Sequence, residues 1–498
     1  MDGGTVMSWL ALVERELLLF AGVFFLIGTL DELLVDGLWS WLRLSGRAPR
    51  LSLDRTEVRA RRLGGRAAVF IPAWHEDAVI AHTLQHALAS WPHDDFVIYV
   101  GVYRNDMKTL EAAMRGAGMD RRVRLVVHDC DGPSTKADCL NRLYRAMEVD
   151  EQRMRAPHRM VVLHDAEDMV DPAALALLDK ALDRAEFVQL PVVPLPQHGR
   201  RWLGSHYCEE FAEAHGKTMV VRDWLGTCLP AAGVGCALAR DMLRRIAVAG
   251  GGTPFAVDSL TEDYELGMRM QQFGGRSRFL PVRGEDGSLI ATRAYFPARL
   301  DEAVRQKARW VHGIALQGWD RLGWAADGER RGRGWLHRLA EGWMRLRDRR
   351  GPLAALVLAC GYGFFLLSGV LMLIGQLGLA RPWQTDPLLS ALVTVNLLAF
   401  AWRAVWRAGF TACEHGWGQG LLAVLRIPVT NVIAIMAGRR AFVAYCHTLA
   451  GGRPRWEKTR HDRHPAAQPL PEVPLVARVS LADLPFDVPA NIALGSSQ

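Results

Sequence analysis

Carboxylates recur through the first two thirds of this sequence, each set following a short apolar run. In order they are Glu76 behind residues 68–71, Asp106 behind 96–103, Asp129 and Asp131 behind 123–128, and Asp165, Glu167 and Asp168 behind 160–164. Acids two apart after a buried strand can present oxygen ligands to a hard divalent cation that also binds substrate phosphates, so His164-Asp165-Ala166-Glu167-Asp168 is a candidate Mg2+ or Mn2+ site. The plainer reading is an acidic loop, with Asp171-Pro172 starting the next helix. Thr261-Glu262-Asp263 opens a helical pattern carried by Tyr264, Leu266, Met268 and Met270. Thr261 there suits a helix cap and the two acids suit the helix dipole; the chemical alternative makes Asp263 a general base. In Gln306-Lys307-Ala308-Arg309-Trp310, helical spacing puts Gln306 on one face with Arg309 and Trp310. Arg309 can clamp a diphosphate, and Trp310 can either stack on a sugar or base or anchor at a membrane interface. Lys136 lies in Gly132-Pro133-Ser134-Thr135-Lys136-Ala137-Asp138, a loop-to-helix entry whose amides and cation suit a phosphate, although no Walker frame is present. Gly233-Val234-Gly235 permits close backbone approach.

The elements that must position these groups are legible as an alternation of short β-branched runs and helical patterns over residues 66–320, the mark of a doubly wound α/β sheet. Strands are expected at 68–71, 96–103, 123–128 and 160–164, with a helix from His82 to Trp91. In such sheets the site lies beyond the carboxyl ends of the strands, so the acids behind the four runs should converge on one crevice.

Apolar segments flank this region. The chain has 498 residues, half of them hydrophobic and 23% charged, which excludes a disordered or fibrous protein. Residues 351–380 carry no charge, and a helix needs about 20 apolar residues to cross the hydrocarbon core. A second, sixteen-residue run lies between Asp386 and Arg403, with Trp383 and Trp402 placed to sit at the two interfaces. Residues 17–30 form a shorter apolar run that crosses only if extended through Glu14, Arg15 and Glu16; an interfacial helix is the alternative. Residues 416–438 contain Arg426 and Pro428 and read as a re-entrant or surface-lying helix. Of 60 basic residues 54 are Arg, clustered before and after the apolar segments, which puts the middle region on the cytoplasmic side. The basic run 330–350, with Trp335, Leu336, Leu339, Trp343 and Leu346, looks like an amphipathic helix on anionic lipid and excludes nucleic acid as a partner. Eight cysteines without a CxxC pair argue against a zinc site or a disulfide framework.

Taken in order, Ile71-Pro72-Ala73-Trp74-His75-Glu76, Asn105-Asp106, Lys136-Ala137-Asp138-Cys139-Leu140-Asn141, Asp165-Ala166-Glu167, Thr261-Glu262-Asp263 and Gln306-x-x-Arg309-Trp310 resemble the membrane-bound glycosyltransferases of family 2. Residues 133–141, 164–168, 260–267 and 304–317 look more closely like the bacteriophage adsorption protein B family, inner-membrane glycosyltransferases of Gram-negative bacteria. The resemblance implies a Rossmann-like glycosyltransferase A-type domain inserted between transmembrane helices, and inverting transfer of a sugar from a UDP-sugar donor to a surface or exported polysaccharide. Asp263 would be the base beside Glu262, with Gln306, Arg309 and Trp310 bracing acceptor and diphosphate. Glu76, Asp106, Lys136 and Asp165 would hold the donor. A Mg2+ or Mn2+ ion would sit on Asp165 and on Glu167 or Asp168, since the usual motif is Asp-x-Asp. Alternatives are a single addition to a lipid-linked acceptor, or an inactive envelope scaffold. With so few spans, membrane lipid and an outer-membrane or periplasmic export partner are expected company. Many relatives carry a further C-terminal module similar to cyclic-di-GMP-binding domains, which these 498 residues are expected to lack.

The expected divisions are 1–45 (membrane helix and juxtamembrane segment), 46–325 (cytoplasmic glycosyltransferase domain), 326–350 (interfacial segment), 351–404 (transmembrane hairpin), 405–452 (re-entrant or interfacial helices) and 453–498 (a Pro-rich, largely disordered tail).

Overall fold

The computed structural model describes residues 3–48, 50–197, 202–324, 334–376, 386–452, 458 and 461–467. Its first half runs α1 (Gly3–Leu44), β1 (Ser52–Leu53), α2 (Arg55–Ala60), β2 (Arg66–Pro72), α3 (Ile80–Ser90), β3 (Phe96–Tyr103), α4 (Met107–Ala117), β4 (Val123–His128), α5 (Lys136–Met154), β5 (His158–Leu163), α6 (Ala174–Ala181), β6 (Phe187–Gln189), β7 (Val192–Pro194), α7 (His206–Glu213), α8 (Met219–Trp224), β8 (Cys236–Ala239) and α9 (Arg240–Ala249). Then come α10 (Glu262–Arg269), β9 (Ser277–Phe279), β10 (Arg283–Gly284), β11 (Thr292–Ala294), α11 (Leu300–Trp310), α12 (Gly318–Leu322), α13 (Trp335–Arg349), α14 (Gly351–Gln376), α15 (Pro387–His415), α16 (Trp417–Leu425) and α17 (Ile427–Leu449).

Seven strands form the central sheet in the order β4-β3-β2-β5-β8-β6-β9. β4, β3, β2 and β5 are parallel, and β8 is antiparallel to both β5 and β6. β2, β3 and β5 are buried on both faces along their apolar runs, whereas β4, at the sheet edge, is only partly buried and carries Arg124. Ala67, Val69 and Ile71 of β2 join Ile98 and Val100 of β3 in one core layer, while Ala68 and Phe70 join Tyr99 in the other. β3 and β4 span the residues expected of them, β2 extends the expected run by two residues before and one after, and β5 starts two residues earlier than expected and ends one residue sooner.

Four helices are long and apolar enough to cross a membrane: residues 5–44, α14, α15 and α17. In α1 the helix continues through the charged residues near its start because Glu14 is buried and accepts a hydrogen bond from Ser368 of α14 at 2.5 Å. The fourth apolar stretch differs from a single re-entrant helix. It divides at Arg426, leaving the short α16 and the 23-residue α17. Arg426 is buried at this break and forms a two-point contact with Glu209 of α7, Nε to Oε1 at 2.7 Å and Nη2 to Oε2 at 3.2 Å. A buried guanidinium needs such a partner.

The α/β domain is tied to the long helices by charge. Lys217, in the π-helical turn 214–218, is fully buried against Asp36 at 2.5 Å and Glu213 at 2.8 Å. Arg403 of α15 reaches Glu32 and Glu213, and Arg347 of α13 and Arg350 just after it reach Asp31 and Glu32. In α13, Trp335, Leu336, Leu339 and Leu346 are exposed while Glu341 and Arg345 are buried against the domain, so its apolar face points outward. Arg330, Arg331 and Arg333 of the basic run, Trp383, and the tail prolines other than Pro465 lie outside the described residues.

Candidate functional site

The carboxyl ends of β2 and β5 and the start of α5 open onto a cavity of about 100 Å³. Glu76, Lys136, Asp165, Glu167, Gln306 and Arg309 all line it. Residues up to 233 apart in sequence therefore meet here, as strand-end geometry and the face of α11 require.

The loop behind β2 is shaped by Asp106. This carboxylate accepts the His75 N–H at 2.6 Å and caps α4 through the Thr109 N–H at 3.4 Å. Thr109 in turn accepts the Glu76 N–H at 2.9 Å. Asp106 is buried behind the wall rather than among the lining groups. Asp129 and Asp131 turn to Arg142 and Arg104.

Thr135 caps α5, accepting the Asp138 N–H at 3.2 Å, so the amino end of a 19-residue helix faces the cavity beside Ser134 and Lys136. Lys136 Nζ lies 2.5 Å from Asp165 Oδ1. Burial opposes its charge, but Asp165, Glu262 and Asp263 hold the ammonium above its ordinary value. Conversely, burial and the Asp263 charge push Glu262 up to about 7. Burial raises Asp263 as well, while Lys136 pulls it down. Lys136 and Arg309 thus share the charges of Glu262 and Asp263, and Lys136 also that of Asp165 behind β5.

Thr261 occupies the cap position of α10, yet its hydroxyl makes no capping bond. The turn is held instead by Gln317, which accepts the Leu260 N–H at 2.9 Å and donates to the Asp258 carbonyl at 2.8 Å. Asp263 faces Gly233 closely enough that a Cβ there would sit 2.3 Å from its Oδ2. Gln189, fully buried at the end of β6, positions that loop: it accepts the Ala232 N–H at 2.9 Å and donates to the Val234 carbonyl at 2.8 Å.

The acids behind β5 part company. Asp168 is buried, bonded through Oδ2 to the His164 ring at 2.9 Å and to the Asp165 N–H at 2.9 Å, and so braces the turn. Asp165 and Glu167 face the cavity. Two carboxylates with room for phosphate oxygens are hard donors that fit Mg2+ or Mn2+, and Asp165 keeps a third of its side chain exposed for that role. Trp310 lies away from the cavity, among Tyr207, Phe211 and Phe296 with ring centroids 6.0–6.5 Å apart. Gln306 and Arg309, on the same helix, reach the cavity.

Two lining residues were not among those singled out in the sequence. Lys458 Nζ lies 3.0 Å from Glu76 Oε1, and His461 bridges Glu76 at 3.0 Å and Glu167 at 3.1 Å. Burial disfavours the imidazolium, but Glu167 and Glu76 outweigh it and raise His461 to about 9. This part of the Pro-rich tail is therefore placed, by two cations that match two buried acids. The basic run Lys458–His464 within a segment otherwise read from its prolines was the available signal.

Residues 65–313, half of the chain, match the family profile described as glycosyltransferase like family 2. The chain belongs to that family. It is 30% identical over 493 aligned positions to bacteriophage adsorption protein B of Escherichia coli K12, and equally to bacteriophage N4 adsorption protein B of E. coli O157:H7. Each alignment covers 91% of this chain and 63% of the relative, so the chain spans under two thirds of those proteins. Among solved structures it is similar to a mannosyltransferase from Pyrobaculum calidifontis in complex with GDP-Man and Mn2+. That likeness has a TM-score of 0.50 at 16% identity and covers 86% of this chain and 99% of that one. At such identity the likeness establishes the fold: a glycosyltransferase A-like sheet between amino- and carboxyl-terminal long apolar helices.

Proposed function

We propose that this family 2 glycosyltransferase moves a sugar, with inversion, from a nucleoside diphosphate donor to a glycan acceptor at the membrane. The observation that carries the reading is the meeting of Lys136, Asp165, Glu167, Gln306 and Arg309 around one cavity, with Asp263 next to Lys136. UDP is the donor nucleotide implied by the family resemblance, and an exported polysaccharide is the product it implies. The Arg-rich flanks of the apolar helices favour an inner-membrane protein with its α/β domain in the cytoplasm.

In this reading the acceptor hydroxyl attacks the anomeric carbon while the bond from that carbon to the diphosphate oxygen breaks. The electron pair leaves on the diphosphate and the hydroxyl proton passes to the Asp263 carboxylate. Asp165 and Glu167 would hold Mg2+ or Mn2+, which when bound offsets charge on the leaving group. Lys136, the α5 amino end and Arg309 receive the diphosphate, so most of the acceleration is positioning and charge stabilisation. Gln306, whose buried Oε1 has no hydrogen-bond partner among the described residues, is placed to accept from a sugar hydroxyl.

The cavity of about 100 Å³ is smaller than the ~300 Å³ at which ligand sites begin. Lys458 and His461 occupy part of this cavity, and a shift of both is the change that would widen it for a donor. The test is release of nucleoside diphosphate by membranes given a panel of UDP-sugars with Mg2+ or Mn2+. Turnover with one donor, abolished in Asp263→Asn while donor binding persists, is the expected result. Near-normal turnover in that variant would remove Asp263 as the base, and full activity in excess EDTA would remove the metal from Asp165 and Glu167.

A further inference from the structure

A second cavity, of about 390 Å³, shares no lining residue with the acidic crevice and lies where α1 and α15 end against the α/β domain. One wall is aromatic. Trp39 of α1 packs edge-on against Trp406 and Phe410 of α15, with ring centroids 5.4 and 5.3 Å away, and Trp406 stacks on Phe410 at 5.6 Å. These rings hold their places because the Trp39 indole N–H donates to the Gly216 carbonyl at 2.8 Å. Val405 and Trp417 extend the apolar lining, and both are exposed.

The opposite side is cationic. Arg43, Arg50 and Arg283 line the cavity, and the only carboxylate in its lining is Glu414, which pairs with Arg283. Arg43 donates to the Ala48 carbonyl at 2.7 Å and, among the described residues, neither it nor Arg50 forms an ion pair. His215 in the same wall is pushed down to about 4 by burial and is neutral. The cavity therefore carries two guanidinium groups that, among the described residues, have no carboxylate partner, although Arg43 lies over the Trp39 ring at 5.3 Å, beside an apolar face that the protein does not cover. Both long helices that build it are long and apolar enough to cross a membrane, and the cavity sits at their carboxyl-terminal ends. An anionic head on an apolar body at the level of a membrane interface satisfies both halves at once.

We propose that this cavity binds one anionic phospholipid, with its phosphate among Arg43, Arg50 and Arg283 and its acyl chains along Val405, Trp406 and Phe410. Such a lipid would fill the joint between α1, α15 and the loop around β10. A soluble phosphate would answer the charges but leave the aromatic wall wet; a zwitterionic lipid would do the reverse.

The experiment is native mass spectrometry of the full chain purified in mild detergent, followed by exchange into nanodiscs containing phosphatidylglycerol and phosphatidylcholine in equal amounts. One phosphatidylglycerol per chain is expected to persist. In the double variant Arg43→Gln/Arg50→Gln its retention should fall about 30-fold, which corresponds to ~1 kcal/mol per charge. Arg47→Gln should leave retention unchanged, because Arg47 stacks on Trp41 outside the cavity. Equal retention of the two lipids by the wild-type chain would overturn the proposal, and this arm stands even if the double variant does not accumulate. An equal loss in Arg47→Gln would reduce the effect to general surface charge and also overturn it. A co-purifying polyprenyl phosphate in place of phospholipid would assign the cavity to a lipid-linked acceptor instead.

Discussion

Replacing Gly233 by alanine tests the proposed base without altering any group that does chemistry. Gly233 has φ +77°, and a Cβ at this position would lie 2.3 Å from Asp263 Oδ2 and 3.2 Å from its Cγ. Ordinary contact begins at 3.4 Å, so the carboxylate must retreat by about 1 Å, and a misplacement of about 1 Å at a reacting group costs on the order of 10²-fold in rate. The left-handed backbone adds about 1–2 kcal/mol of strain, which lowers stability without unfolding a chain of this size. The expected result is therefore selective: nucleoside diphosphate release falls about 100-fold, while donor affinity, read by calorimetry with UDP and Mn2+, changes less than about threefold. The thermal midpoint should drop by only a few degrees. Turnover within about threefold of wild type would refute the placement of Asp263 as the group that accepts the proton. Loss of donor binding in step with turnover would refute the assignment more deeply, since the Gly233 loop would then belong to the donor site.

Other outcomes follow from the same geometry. Asp348 of α13 binds both terminal nitrogens of buried Arg222, at 2.7 and 2.9 Å, and accepts the Tyr264 hydroxyl at 2.9 Å. Asp348→Asn leaves that guanidinium buried and uncompensated, at a cost of about 3–5 kcal/mol; the melting temperature should fall, and turnover with it because Tyr264 adjoins Asp263. An unchanged melting temperature would show that α13 does not brace the base. Glu167→Gln should weaken Mn2+ binding with UDP present about tenfold or more, whereas Asp168→Asn should act through stability and leave metal affinity nearly intact; the reverse order would exchange their roles. Addition of UDP and Mn2+ should displace His461 from Glu76 and Glu167, read as altered amide exchange over residues 458–466. Identical exchange with and without the nucleotide would mean that tail and donor occupy separate space.

Much of the scaffold was legible because it rests on local periodicity. The strands at 96–103 and 123–128 match the expected bounds: β3, buried on both faces, is apolar throughout and ends where charge begins, while β4 at the sheet edge keeps its Val-rich run despite Arg124. The convergence of Glu76, Asp165 and Glu167 was legible for the same reason: strand ends in a doubly wound sheet share one edge. Gln306 and Arg309 were found by helical spacing. Trp310 was assigned to the same face but packs on Tyr207 and Phe296, because the side of α11 that it covers is decided by α7 and not by α11 itself.

What this sequence determined by itself is a family 2 glycosyltransferase: the order of acidic motifs, the alternation that builds the sheet, and apolar segments long enough to cross a membrane. The tertiary structure decided which charges are used and which are neutralised. Asp168 rather than Glu167 is consumed by His164. Arg426 is answered by Glu209, 217 residues away. His461 answers Glu76 across 385 residues, and Lys217 answers Asp36 across 181. The physical reason is common to the last three, whose partners are distant in sequence. A buried charge is set by its nearest opposite charge, and that partner is chosen by how the chain packs, which no local pattern of residue types encodes.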